Sequence, residues 1–178
     1  SRIRDQGLQN VSLCVGDFHR LPFAEATFDQ VFAIEVFCYA TDLDRAFSEI
    51  ARVLRPGGVL TLFDGYLTQP LARLSADEAL AAELTAKGMA LDHWQSVDEL
   101  FAHAQRHGLA SCGLTVLDNE VMPNLRRLER LTAAVIRVPW LGRRALAKRS
   151  PMRGRNVLAG FLMRTSVAMG FLGYRQIE

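Results

Sequence analysis

Cysteine is scarce: Cys14, Cys38 and Cys112 are odd in number, far apart, and form no C-x-x-C pair. That spacing excludes a disulfide framework and a paired-cysteine zinc site. A reducing, cytoplasmic setting is the expectation. With 6 proline and 13 glycine, the chain is neither collagen-like nor linker-like. No uninterrupted apolar run is long enough for a membrane span. The longest, Val157 to Tyr174, is broken by Arg164, Thr165 and Ser166 and reads as a buried helix. The opening Ser1-Arg2-Ile3-Arg4-Asp5 is polar and shows no signal peptide. A net charge of +2 makes no global demand for nucleic acid. What is present is a mixed surface and 49% apolar residues in 178, enough for one sizeable core with an appendage.

The near-neutral total hides an uneven distribution. Arg126 to Arg155 holds ten Lys/Arg and one acid, Glu129. The rest of the chain is acidic by comparison.

The first third alternates strand and helix signals. Val11–Val15 is a short apolar run ending at Gly16-Asp17 and predicts a strand. Val31-Phe32-Ala33-Ile34 is nearly continuous, as in strands buried on both faces. Leu43, Ala46, Phe47, Ile50, Ala51 and Leu54 recur at helical spacing, with Thr41 or Asp42 as cap and Pro56-Gly57-Gly58 as stop. Val59–Phe63 predicts the next strand. Strand, helix, strand at this spacing is a βαβ unit. Ligands of open α/β sheets lie beyond the carboxyl ends of the strands, so three loops stand out: Asp17 to Pro22, Glu35 to Thr41, and Asp64 to Thr68.

In these loops the sequence resembles a known family. The G-D-x-x-x-L-P-F segment Gly16–Phe23, the F-D-x-V segment Phe28–Val31 and the E-I-x-R-V-L-R-P-G-G segment Glu49–Gly58 stand in the order and spacing of class I S-adenosylmethionine-dependent methyltransferases, in the small-molecule, type 11-like subgroup. About 50 residues carry the strong likeness. Ser96–Leu109, Cys112–Leu125 with Asp118 and Pro123, and the closing Gly170-x-x-Gly173-Tyr174-Arg175 are similar more loosely to the late elements of enzymes acting on sterols, tocopherols and amines. The family opens with a strand, a G-x-G-x-G loop and a second strand ending in an acid. The only paired glycine before residue 60 here is Gly57-Gly58. The resemblance therefore implies a partial Rossmann-like, doubly wound α/β sheet with a helical lid insertion. It holds part of the cofactor and is expected to be inactive alone. The divisions it implies are 1–66 partial cofactor-binding core, 67–95 helical lid, 96–125 late helix and strand, 126–156 basic helical appendage, and 157–178 final helix and strand.

The resemblance also implies site residues. Asp17 would accept from the adenine amine while the Phe18 N–H donates to a ring nitrogen, with the Phe18 ring alongside. A turn residue bonded within its own loop is the other reading of Asp17. His19 shares the loop as a contact or an exposed residue. Ala33, Ile34 and Glu35 would meet the methionine half. A carboxylate in the apolar run VFAIEVFCYA needs a partner, which a cofactor ammonium, an arginine or a local N–H can supply. Tyr39 beside Cys38 can orient the acceptor, act as a weak acid or base, or simply pack. Asp64 can serve as a base or as a cap.

Ser75 and Glu78 form a capping box, with Leu80, Leu84 and Gly88 as stripe and stop, so a lid helix is expected before His93, a candidate general base. Ser96 and Glu99 repeat the box before a helix ending at Gly108, with His103 and His107 expected in solvent or near its C-terminus. No metal site is expected.

Leu125, Leu128, Leu131, Val135 and Val138 recur among arginines, followed by Pro139 and Trp140. A basic amphipathic helix of this kind can touch an anionic membrane or cover an apolar pocket. The expected partner is a small, possibly lipid-like methyl acceptor, reached with peripheral membrane contact and without a transmembrane segment. Nucleic acid is not expected, since the fourth family strand is followed by Glu35-Val36-Phe37-Cys38 and not by an N/D-P-P-Y clasp. The competing reading is a non-catalytic module that binds a partner or membrane through the basic segment.

Overall fold

The computed structural model describes residues 7, 9–137 and 151–178. The expectations for Ser1–Asp5 and for Val138, Pro139, Trp140 and the basic residues 143–149 therefore lie outside the described residues. Four strands form one sheet, β1 (Phe28–Ile34), β2 (Leu54–Leu67), β3 (Leu114–Val116) and β4 (Leu172–Ile177), in the order β1-β2-β4-β3. β1 and β2 run parallel, and β4 lies antiparallel between β2 and β3. The helices are α1 (Leu43–Val53), α2 (Ala76–Met89), α3 (Val97–Arg106), α4 (Asp118–Arg137) and α5 (Pro151–Ala168).

The crossover from β1 to β2 is the βαβ unit read from the sequence. Asp42 caps α1 by accepting from the Arg45 N–H. α1 closes at Val53, and β2 already begins at Leu54, so Pro56-Gly57-Gly58 is a bulge within the strand rather than the helix stop. The register jumps there, from Phe28↔Leu54 to Gln30↔Val59. A Cβ on Gly58 would stand 2.9 Å from the Arg55 carbonyl oxygen, which is why glycine sits at this close approach.

Along β2, side chains alternate between two cores. Leu62 and Tyr66 join Phe37, Phe47, Ile50, Leu100 and Ile177 under α1 and α3. Leu67 joins Ala82, Trp94, Leu125, Met163 and Leu172 under α2, α4 and α5. Helices on both faces make this a doubly wound arrangement.

Several expectations are corrected. Val11–Val15 forms no strand. Val15 is fully exposed and Leu13 is 76% exposed, because no described strand lies beside them to accept their backbone. The buried stripe of α2 is Ala82, Thr85, Ala86 and Gly88, while Leu80 is 55% exposed. Small residues are needed there because α5 lies close: a Cβ on Gly88 would stand 2.7 Å from that of Ala159. The stop is Ala90, at φ +61, not Gly88. α4 runs across the division drawn at 125/126, and α5 begins at Pro151, before the one drawn at 156/157. α4 buries Leu125 and Thr132, keeps Leu128 close to Gly160 of α5, and turns Leu131 outward. Its Glu129 pairs with Arg164 of α5 at 2.6 Å.

Candidate functional site

The loop from Gly16 to Thr27 is held by α1. Glu49 accepts the Leu21 N–H at 2.8 Å and pairs with Arg52. Arg52 in turn donates to the carbonyls of Phe23 and Leu21, at 2.8 and 3.1 Å. Arg52 holds the Glu49 carboxyl below its ordinary range. Arg45 Nε donates to the His19 carbonyl at 2.9 Å. Arg55 reaches both Asp29 carboxylate oxygens and the Ala26 carbonyl. In the sequence Arg52 and Arg55 stand only as members of the E-I-x-R-V-L-R-P-G-G segment, with nothing to show the loop they hold. The i, i+3 spacing of Glu49 and Arg52 was the available signal for this clamp.

Within the loop, Asp17 is exposed and bonded to its own turn. Its Oδ1 accepts the His19 N–H at 2.9 Å and faces His19 Nδ1 at 2.8 Å. These contacts, the backbone N–H first, keep the Asp17 carboxyl below its usual value. The Phe18 ring lies against His19 and Phe37, with centroids 4.3 and 6.2 Å away. His19 Nε2 is buried without a partner.

At the carboxyl ends of β1 and β2 three side chains converge. Ala33 and Ile34 close β1 opposite Leu62 and Phe63. Glu35 then turns out of the strand at φ +53, a left-handed conformation that costs a non-glycine residue. Its N–H still donates to the Phe63 carbonyl, at 2.8 Å. Glu35, Cys38 and Asp64 bring a carboxylate oxygen, a sulfur and a second carboxylate oxygen within 4.8 Å of one another. Asp64 is 3% exposed and accepts the Cys38 N–H at 3.0 Å and the Gly65 N–H at 2.9 Å. Burial nevertheless raises its carboxyl. Glu35 keeps an open side, yet desolvation and then the Asp64 charge lift its carboxyl to about 7. Burial also pushes up the Cys38 thiol and the Tyr66 and Tyr174 phenols, with these charges adding to it. The Tyr66 hydroxyl is buried without a partner.

Among the described residues neither carboxylate pairs with a lysine or arginine. An acceptor-rich, unneutralised group of this kind suits a cation.

Next to this cluster Tyr39 and His93 line one cavity of about 140 Å³, with Cys38, Thr41, Asp92 and Gln95. Tyr39 is half exposed, and its hydroxyl reaches the Met89 carbonyl at a long 3.4 Å. Trp94, beside His93, is buried instead, donating to Thr85 Oγ1 at 2.9 Å. A larger cavity, about 610 Å³, lies at the other end of β2 among Leu54, Gly58, Phe101 and Leu109. It is remote from the acid cluster, and its Arg52 and Arg55 are already paired. His103 and His107 stand in the last turn and at the C-cap of α3, the second of the two expected places, and are not free in solvent. Both face Asp44 Oδ1, at 2.9 and 3.3 Å, and Arg106 reaches Oδ2 at 3.2 Å. This ties α3 to α1. His103 first, with His107 and Arg106, holds the Asp44 carboxyl low.

Residues 1–62 match the family described as a methyltransferase domain. The chain is 33% identical over 105 residues to the sterol 24-C-methyltransferase of Saccharomyces cerevisiae, covering 59% of this chain and 26% of that protein. It is 30% identical over 148 residues to methyltransferase GfsG of Streptomyces halstedii, covering 83% of this chain and 51% of that protein. The chain thus spans about a quarter and about half of the length of these two relatives.

Among solved structures, geranyl diphosphate C-methyltransferase from Streptomyces coelicolor A3(2) superposes with a TM-score of 0.69 at 18% identity, over 99% of this chain and 56% of that one. The [4+2]-cyclase SpnF gives 0.71 at 18%, over 99% and 59%. At such identity these likenesses speak to fold alone. The chain thus has the fold of these enzymes, and its residues 1–62 carry the likeness to the methyltransferase-domain family.

Proposed function

We propose that the protein carrying this chain transfers a methyl group from S-adenosylmethionine to a small, hydrophobic molecule. The observation that carries the reading is the Glu35–Cys38–Asp64 cluster at the ends of two adjacent parallel strands, two carboxyls without a lysine or arginine partner among the described residues. Glu35 would hold the cofactor's ammonium, with Ala33 and Ile34 presenting backbone beside it. Asp17 would take the adenine amine, with Phe18 and His19 bordering the ring. The donor brings an activated methyl on sulfonium, so the protein's work is chiefly positioning and exclusion of water.

Tyr39 and His93, on one cavity beside the cluster, are the proposed acceptor-side residues. Either can orient a hydroxyl or amine, and His93 can take up the released proton. A lipid-like acceptor is consistent with the sterol methyltransferase relatives and with the apolar lining around Leu91. Peripheral membrane contact through residues 126–156 is proposed from the basic composition alone. No described helix is long and apolar enough to cross a membrane.

The cyclase with the same fold favours one second reading, a chemistry other than methyl transfer on the same frame. Calorimetry with S-adenosylhomocysteine tests the first. Binding is expected, and Glu35→Gln is expected to weaken it about tenfold, as loss of one charge-assisted contact does. Unchanged affinity in Glu35→Gln removes Glu35 from the cofactor site. No transfer of labelled methyl to any sterol or terpenoid alcohol, despite binding, favours the second reading.

A further inference from the structure

Gln95 is 3% exposed, in the segment between α2 and α3. Its backbone carbonyl accepts the Leu67 N–H at 2.9 Å, which fixes it to the end of β2. Its Nε2 donates to the Phe37 carbonyl at 3.2 Å. That carbonyl can only accept, so the amide cannot be flipped, and Oε1 is turned away from it. Oε1 is buried and receives no hydrogen bond. Protein interiors leave few acceptors in that condition, because a dry, unpaired amide oxygen destabilises the fold. The same residue lines the cavity of about 140 Å³ that also holds Tyr39, Thr41, Asp92 and His93.

We propose that Gln95 determines which acceptor this site takes, its free amide oxygen receiving a hydrogen bond from a hydroxyl or ammonium group of the ligand, and that the cavity refuses a phosphate. The proposal deepens the methyl-transfer reading and rests on it for the ligand's role as acceptor. Oε1 lacks a donor, which a phosphate or ether oxygen cannot supply. Charge points the same way. The cavity lining carries Asp92 and no lysine or arginine, and Glu35 and Asp64 stand beside Cys38. An anion there would be desolvated beside three carboxylates, Asp92, Glu35 and Asp64, with His93 as the single basic side chain in the lining.

Size restricts the group further. At roughly 30 Å³ per water, the cavity holds the volume of only a few waters. It therefore receives one functional end of a ligand, or a single small ring, and a longer apolar body lies outside it. Oε1 presents almost no open surface as it stands, so a ligand reaches it by displacing a neighbour. Tyr39 is half exposed and held by one long contact to Met89, so it is a lining side chain that can give way.

Three probes of one shape test the proposal by chemical-shift titration of the chain: cyclohexanol, cyclohexylamine and cyclohexyl phosphate. The alcohol and the amine are expected to bind and to shift the Gln95 side-chain amide, with the phosphate at least about tenfold weaker. Gln95→Met keeps the length and loses the acceptor, and is expected to weaken the alcohol about five- to tenfold. Gln95→Glu keeps an acceptor, so it retains the alcohol and tightens the amine.

Undetectable alcohol binding, a phosphate that binds as well as the alcohol, or unchanged alcohol affinity in Gln95→Met each overturn the proposal. Should Gln95→Met fail to fold, the probe ranking and Gln95→Glu decide it. S-adenosylhomocysteine binding and methyl transfer, measured on the unaltered protein, fail or succeed separately. The methyl-transfer reading can therefore fall while the probe ranking stands, and the reverse.

Discussion

Glu35 is the residue on which pH acts most plainly. Its folded carboxyl titrates near 7, against an ordinary value of 4.5, so the folded state holds that proton more tightly than the unfolded chain does. The sign follows from linkage: as pH rises from 4.5 to 7, this group costs the fold stability, and below that window the cost disappears. Glu35→Gln is therefore expected to raise the urea midpoint at pH 8 and to leave it unchanged at pH 4. The gain is about 1 kcal/mol, small because the side chain keeps an open face to solvent. An equal effect at both values would show that the carboxyl is not the cause. The Asp64 charge adds to the shift, so Asp64→Asn is expected to lower the Glu35 midpoint in a carbon-detected carboxyl titration.

At this scale the sequence showed where acids stand, because an acid in VFAIEVFCYA is conspicuous. It did not show that Asp64 would be the charge pressing on Glu35, since the pairing of strands 29 residues apart brings them together. Nor did it show Gln95, whose neutral side chain leaves no mark in an amphipathic pattern.

Helices were legible where local chemistry decides them. Both capping boxes read from the sequence, Ser75 with Glu78 and Ser96 with Glu99, are formed. The Gly108 stop is formed too, with the Leu109 and Gly108 N–H groups returning to the Ala104 and Gln105 carbonyls. The end of α2 was misread because its closing residue is not glycine. Ala90 occupies the same left-handed position, with Leu91 and Ala90 N–H groups returning to Ala86 and Lys87. Gly88 is there for another reason, contact with α5, which no local pattern reveals. Opposite outcomes are expected from exchanging the two. Ala90→Gly should stabilise by about 1 kcal/mol by relieving left-handed strain. Gly88→Ala should destabilise by roughly 1–3 kcal/mol by pressing a methyl into Ala159. Chemical denaturation of both variants checks them. A Gly88→Ala protein as stable as the parent would mean that α2 and α5 can separate cheaply.

For the whole molecule, the sheet's parallel edge is the exposed feature. Among the described residues nothing pairs with the outer side of β1, where Phe32 is 67% exposed, and Val11–Val15 lies unpaired. The sequence marked both segments as strands. Only β1 forms one, because a run of apolar residues becomes a strand only when a neighbour supplies hydrogen bonds. An open, apolar edge of this kind templates association. The 178-residue chain is expected to scatter light increasingly with concentration, and Phe32→Lys to reduce the scattering without altering its circular dichroism. Equal scattering in the variant would put the sticky surface elsewhere.

The position of β4 has a consequence for synthesis. It is an interior strand of the sheet, yet it emerges from the ribosome after β2, α2, α3, β3, α4 and the long α5. A nascent chain that has completed the β1–β2 pair therefore waits, with the inner flank of β2 bare, until nearly all of these residues have left the exit tunnel. Closure of the sheet is thus a late, long-range event, and pauses in translation ahead of Leu172 would prolong the interval in which holdase chaperones can capture the half-built domain.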